Sequence, residues 1–129
     1  MKISIIIPVF NEESSLKELY SQITNSIKVY NEYEIVFIDD GSSDESKTII
    51  QKMIELDNKV KLISFFRNFG KSAALSEGFK YASGDVIITM DADLQDDPNE
   101  IPALINKLNE GFDLVSGWKK KRYDPWTKT

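Results

Sequence analysis

A chain of 129 residues, 41% hydrophobic and 29% charged with a net charge of −5, is the size of one domain with a buried core, which excludes disordered and fibrous classes. Cysteine and histidine are both absent, so a disulfide framework, a thiolate or imidazole metal site and any Cys nucleophile or His base are excluded. Chemistry is left to carboxylates, Lys, Arg, Tyr, hydroxyls, backbone amides and a bound hard cation.

Apolar, β-branched runs alternate with helical patterns along the chain. The expected order is strand Ile3–Val9, helix Leu16–Tyr30, strand Glu34–Ile38, helix Asp44–Leu56, strand Val60–Phe65 and helix Lys71–Ala82. A strand Val86–Met90, a helix Pro98–Glu110 and a strand Asp113–Ser116 complete it. This alternation predicts an α/β, Rossmann-like fold with a mostly parallel sheet and helices on both faces. Ser15 with Glu18 reads as a capping box ahead of the stripe Leu16, Leu19, Tyr20, Ile23 and Ile27. Asp97 before Pro98 reads as an N-cap with proline in the first turn, and Gly84 and Gly111 sit where helices should end. Pro102 stands early enough in its helix to be tolerated, or marks a shifted start.

The longest apolar stretch, Ile3 to Phe10, is far shorter than the roughly 20 residues that span a bilayer. With no signal-peptide pattern either, a soluble cytoplasmic chain is expected. Residues 1–118 carry 11 basic and 20 acidic groups, a net −9, whereas residues 119–129 carry 5 and 1, a net +4. The chain therefore divides into an acidic main part, 1–118, and a basic C-terminal segment, 119–129. An acidic main part argues against a nucleic-acid face.

Ligands of open parallel sheets bind beyond the carboxyl ends of the strands. Four polar clusters follow strands there: Pro8-Val-Phe-Asn-Glu12, Asp39-Asp-Gly-Ser-Ser-Asp44, Arg67-Asn-Phe-Gly-Lys71 and Asp91-Ala-Asp-Leu-Gln-Asp-Asp-Pro98. Asp91 and Asp93 are two apart at a strand end, so both carboxylates can face one Mg²⁺ or Mn²⁺, with Gln95 adding a neutral oxygen. The carboxylates of Asp39 and Asp40 can accept from ribose hydroxyls or a uracil N–H, and Gly41 permits a positive φ. Asn11 and Glu12 can reach a base or ribose, while Arg67 and Lys71 can neutralise a diphosphate or the acidic crevice itself. Each cluster taken alone also reads as an ordinary turn or helix start. Neither the phosphate-loop nor the dinucleotide glycine pattern is present. Lys119-Lys-Lys-Arg122 suits a leaving diphosphate, an acceptor phosphate or an anionic membrane, and reads equally as a solvated run. Phe65, Phe66 and Phe69 read as packing beneath the loop and in the core rather than as a stacking surface.

With these clusters in this order, the sequence resembles family 2 glycosyltransferases of the GT-A fold over essentially its whole length. The motifs are similar to those of the branch that uses polyprenyl phosphates, such as dolichol-phosphate mannose synthase and bactoprenol glucosyltransferases. The resemblance implies that Pro8, Phe10, Asn11 and Glu12 line the base and ribose pocket with Asp39 and Asp40, with Lys71, Asp91 and Ala92 also on the nucleotide. It implies a Mg²⁺ or Mn²⁺ held by Asp91, Asp93 and Gln95, and phosphate contacts from Arg67, Lys119 and Arg122. The family often carries an arginine near the position of Trp118, a departure that passes the phosphate role to Lys119 or Arg122.

The reaction implied by the resemblance is an inverting transfer of sugar from a nucleoside diphosphate, UDP favoured, to an acceptor such as polyprenyl phosphate at the cytoplasmic face of the membrane. The resemblance also implies that the acceptor site and remaining catalytic groups lie in a second half beyond these residues. This chain alone is then expected to bind without turnover, and its uncovered sheet edge invites self-association into homo-oligomers. The alternatives are a sugar nucleotidyltransferase, set against the lack of a Gly-rich loop after the first strand, and a non-catalytic nucleotide-sugar-binding module.

Overall fold

The computed structural model describes residues 2–109. In order these form β1 (Lys2–Val9), α1 (Leu16–Ile27), β2 (Glu32–Asp39), α2 (Ser46–Leu56), β3 (Val60–Ser64), α3 (Lys71–Tyr81) and β4 (Val86–Thr89). A 3₁₀ turn, Pro98–Glu100, then leads into α4 (Ile101–Asn109). The strand expected at Asp113–Ser116, the helix end at Gly111, Trp118 and the basic segment 119–129 lie outside the described residues.

The strands form one parallel sheet in the order β3-β2-β1-β4. Ile3, Ile5, Ile7 and Val9 of β1 join Ile35 and Phe37 of β2 in a core with Leu16, Leu19, Ile23 and Ile27 of α1, Ile50 of α2 and Ile105 of α4. The alternate residues, Ile6 of β1 with Val36 and Ile38 of β2, pack against Ala74 and Leu75 of α3. A strand buried on both faces reads as a continuous apolar run, as the Ile-Ile-Ile at 5–7 does, and each such side chain contributes about 1.5–3 kcal/mol. At Gly78 α3 presses close against the sheet: a Cβ there would stand 2.4 Å from Ile6 Cγ2.

Every expected element within the described residues is present, with shifted ends. α1 stops at Ile27, where Tyr30 N–H bonds back to the Ile27 carbonyl and turns the chain towards the core. β2 starts at Glu32, because its ladder with β1 runs from Lys2↔Glu32 to Val9↔Asp39. α2 starts at Ser46, its first amide held by Asp44 Oδ1 at 2.9 Å. The last helix opens as the 3₁₀ turn, with the Asp97 side chain accepting from Asn99 N–H as an N-cap, so the α-helix proper begins one residue before Pro102. The capping box is not formed. Ser15 makes no side-chain cap, and Glu18 instead accepts from Gln22 Nε2 at 2.8 Å. Gly84 follows α3 by a few residues and lies against β1, where its N–H bonds Ser4 Oγ at 2.9 Å.

Candidate functional site

The ladders end level at Val9, Asp39 and Ser64, so the loops after β1, β2 and β3 start at one height. β4 lies on the other side of β1, and its chain runs on past Thr89 beside the end of β1. The strand order thus reverses at β1, the place where a crevice opens in such sheets. A cleft of about 480 Å³ lies there, lined by Pro8, Val9, Phe10, Glu12, Asp40, Asn68, Gly70, Lys71, Asp91, Ala92 and Asp93.

The Asp91–Asp93 turn is pinned from three directions. Asp96, itself buried, accepts from Asp91 N–H at 3.0 Å. Ser15 donates its hydroxyl to the Ala92 carbonyl at 2.6 Å, spending on this turn the group expected to cap α1. Asp93 Oδ1 accepts from Gln95 N–H at 3.2 Å while Leu94 takes a left-handed φ of 66°, uncommon for a non-glycine residue. These bonds fix the backbone that carries both carboxylates. Asp91 is further paired to Lys71, whose Nζ lies 2.8 Å from Asp91 Oδ1.

Glu12 faces this acidic group. Burial, and then repulsion from Asp93, Asp44 and Asp91, raise its carboxyl above the ordinary value. Asp44 moves the other way: burial opposes its ionisation, but hydrogen bonds from Ser46 and from Glu13 N–H outweigh it and hold the carboxyl low. Two loops are stapled here. Asn11, at φ 54°, accepts at Oδ1 from Ser43 N–H (2.8 Å) and Asp44 N–H (3.2 Å), and its own N–H bonds Ser42 Oγ (2.9 Å). Ser46 Oγ accepts from Glu12 N–H at 2.9 Å.

Asp40 is only 3% exposed, and its carboxylate is engaged by the loop after β3. Oδ1 accepts from Phe69 N–H (2.7 Å), and Oδ2 from Gly70 N–H (3.1 Å) and Asn68 Nδ2 (3.1 Å). Gly41, at φ 74°, passes so close to that loop that a Cβ would lie 2.3 Å from the Arg67 carbonyl carbon, so the glycine expected for its φ is required for space as well. Asp39, 2% exposed, closes its own turn by accepting from Ser42 N–H.

Of the residues singled out in the sequence, the fold brings Pro8, Phe10, Glu12, Asp40, Lys71, Asp91, Ala92 and Asp93 to one cleft. Asn11 and Asp39 brace its loops from outside the lining. Gln95 is exposed and not among the lining residues. Arg67 also stands outside, its guanidinium 4.5 Å from the Phe69 ring centre and 5.7 Å from that of Phe66. Phe66 corrects the packing expected of the aromatic trio: it is 85% exposed, and only Phe65 packs against the core on the α3 side. Lys119 and Arg122 lie outside the described residues. Asn68 and Gly70 line the cleft without having been picked as site residues, and Ser15, Ser46 and Asp96 support it unforeseen.

No helix among the described residues is long and apolar enough to cross a membrane. Nor are three or more carboxylates among them grouped to hold a metal ion.

Comparison with known proteins agrees with this fold. The chain is 43% identical over 127 residues to the undecaprenyl-phosphate 4-deoxy-4-formamido-L-arabinose transferase of Proteus mirabilis (strain HI4320), covering 97% of this chain and 39% of that protein. It thus spans well under half the length of that relative. Among solved structures, S. aureus TarS 1–349 in complex with UDP-GlcNAc superposes with a TM-score of 0.70 at 26% identity, over 85% of this chain and 32% of that one. The mannosyltransferase PcManGT from Pyrobaculum calidifontis, in complex with GDP-Man and Mn²⁺, gives 0.65 at 24% identity, over 70% and 27%. These likenesses bear out the Rossmann-like GT-A fold. The family model described as glycosyl transferase family 2 matches residues 4–129, and the chain belongs to that family.

Proposed function

We propose that residues 1–118 form the donor side of an inverting glycosyltransferase that moves a sugar from a nucleoside diphosphate, UDP favoured, to a polyprenyl phosphate at the cytoplasmic face of the membrane. The carrying observation is the single cleft in which Glu12, Asp40, Lys71, Asp91 and Asp93 converge at the sheet's switch point in a family 2 chain. The acceptor class rests on the Proteus mirabilis relative, which is named for undecaprenyl phosphate. The nucleotide rests on the UDP-GlcNAc held by TarS. Family membership favours this reading over a nucleotidyltransferase or a non-catalytic module.

The donor set suits Mg²⁺ or Mn²⁺. Asp91 and Asp93 supply two hard oxygens on a pinned turn. Two carboxylates with substrate phosphates and water are the usual ligands of such an ion. Bound there, a divalent cation would neutralise charge gathering on the leaving diphosphate. Gln95 would join the ligand set by turning towards the cleft.

The chain's own groups then have separable tasks. Pro8, Phe10 and Glu12 form the wall for base and ribose. Asp40 holds Asn68, Phe69 and Gly70 in place and so shapes the opposite wall. Lys71 sets an ammonium where diphosphate charge develops, a stabilisation that grows along the reaction. A lipid-phosphate acceptor is ionised near neutral pH, so displacement at the anomeric carbon requires no histidine base. Lys119 and Arg122 are proposed for phosphate contacts, which Arg67 would join only by leaving the rings of Phe66 and Phe69.

The test is transfer by the intact protein from radiolabelled UDP-sugars to polyprenyl phosphate with Mn²⁺. Labelled lipid is expected. Pyrophosphate release from a nucleoside triphosphate and a sugar phosphate, with no labelled lipid, would overturn the assignment.

A further inference from the structure

The cleft holds an imbalance of charge that its geometry makes useful. Lys71 is the one cation among the described lining residues, set against Glu12, Asp40, Asp91 and Asp93. Two backbone amides and the Asn68 side chain answer Asp40. Among the described lining residues the Lys71 ammonium is the cation that meets this acidic group, and it sits on Asp91 Oδ1 at 2.8 Å. The Lys71 side chain is 49% exposed, on the first residue of α3, whereas that of Asp91 is 19% exposed on a braced turn. Of the two partners the lysine is the one free to move, carried on a flexible four-carbon stem.

A divalent cation and an ammonium cannot both occupy one carboxylate oxygen without close repulsion between like charges. We propose that Lys71 is an exchangeable counter-ion that couples metal binding to nucleotide binding. In the nucleotide-free protein it occupies Asp91 and opposes a cation there. An arriving diphosphate draws the ammonium onto its own oxygens and opens Asp91 Oδ1 to the metal. By linkage, metal and nucleotide then strengthen each other through this one side chain. The inference rests on the donor-site reading and adds the order in which the site fills.

The experiment measures Mn²⁺ affinity of the intact protein by calorimetry, with and without saturating UDP, for the parent, Lys71→Gln and Lys71→Arg. Lys71→Gln removes the competitor, so Mn²⁺ alone should bind roughly 1.5- to fivefold tighter, the range for an exposed ion pair. The factor by which UDP improves Mn²⁺ affinity should fall by at least the same amount. Lys71→Arg, which keeps the charge, should retain most of the coupling. The inference is overturned by Lys71→Gln binding Mn²⁺ alone no tighter than a parent that does show metal-promoted UDP binding. A parent with no metal-promoted UDP binding would overturn the donor-site reading itself, and this inference with it.

Discussion

Asp40 offers the sharpest test of how the cleft is built, because its carboxylate ties the end of β2 to a loop some thirty residues later. Asp40→Ala removes the acceptor for Phe69 N–H at 2.7 Å and Gly70 N–H at 3.1 Å, whereas Asn68 Nδ2 keeps its second bond, at 3.2 Å, to the residue-40 carbonyl. A hydrogen bond to a charged group contributes about 1.5–3 kcal/mol. Because Phe69 is exposed and Gly70 half-buried, water can replace part of the loss, so the lower end applies to each amide, for a total of about 3 kcal/mol. In a domain of this size that corresponds to roughly 10 °C in Tm. Asp40→Asn is the stricter probe. It keeps the shape but points an NH₂ group at Gly70 N–H or Phe69 N–H, and should cost about 2 kcal/mol. Chemical denaturation followed by circular dichroism reads both, and UDP affinity should fall with stability even without metal, since Asn68, Gly70 and Lys71 line the cleft. An Asn variant as stable as the parent, or an Ala variant losing less than about 0.5 kcal/mol, would refute the claim that this carboxylate organises the loop.

Three other substitutions probe the contacts around the cleft and beneath the sheet. Glu34, 4% exposed, is opposed by burial, but bonds from Ser83 N–H, Ser4 Oγ and Ser83 Oγ and the charge of Lys2 outweigh it and lower its carboxyl below the ordinary 4.5. Its ionised form therefore adds stability that is present above the ordinary carboxylate value and lost as pH falls through the depressed one, so Glu34→Gln should be less stable than the parent near neutrality and match it in strong acid. Denaturation midpoints from pH 7 downward check this, and a gap that widens on acidification would contradict it. Ser15→Ala should cost about 1 kcal/mol of stability, and metal-dependent UDP affinity beyond what that loss accounts for, because the Ala92 carbonyl loses its 2.6 Å donor. Unchanged affinity by calorimetry would detach Ser15 from the turn. Gly41→Ala forces a Cβ onto the 67–68 backbone at a positive φ and should lose about 3 kcal/mol, read as a fall in Tm; an unchanged Tm would show that the loops separate freely.

What the sequence made legible was local. Alternating apolar runs and the carboxyl-end rule placed four polar clusters on one edge, and Gly41 and Asp97 behave as their types predict. Which partner each polar group takes was not legible, since that depends on contacts across the fold. The Ser15 hydroxyl has a near option in its own helix and a distant one at Ala92, and the distant bond forms because α1 and the turn after β4 meet beside β1. Asp40 likewise accepts from amides whose proximity results from β2 and β3 being parallel neighbours. Element ends moved for related reasons: ladder register extended β2, and the Asp44 side chain set the start of α2. Arg67 looked free to meet phosphate in sequence, but the exposed rings of Phe66 and Phe69 supply a nearer partner.

The most direct test of the donor-site assignment is calorimetry of UDP binding to the intact protein and to its Asp93→Asn variant, with and without Mn²⁺. Asp93 lines the cleft, and among the described residues its hydrogen bond is a local one to Gln95 N–H, which an asparagine oxygen can still accept. Fold stability should therefore change little, while the Mn²⁺-dependent part of UDP affinity falls at least tenfold, a loss of about 1.4 kcal/mol. Equal metal-dependent affinity in parent and variant would remove Asp93 from the metal site, and the absence of nucleotide binding in both would contradict the assignment of this cleft to the donor.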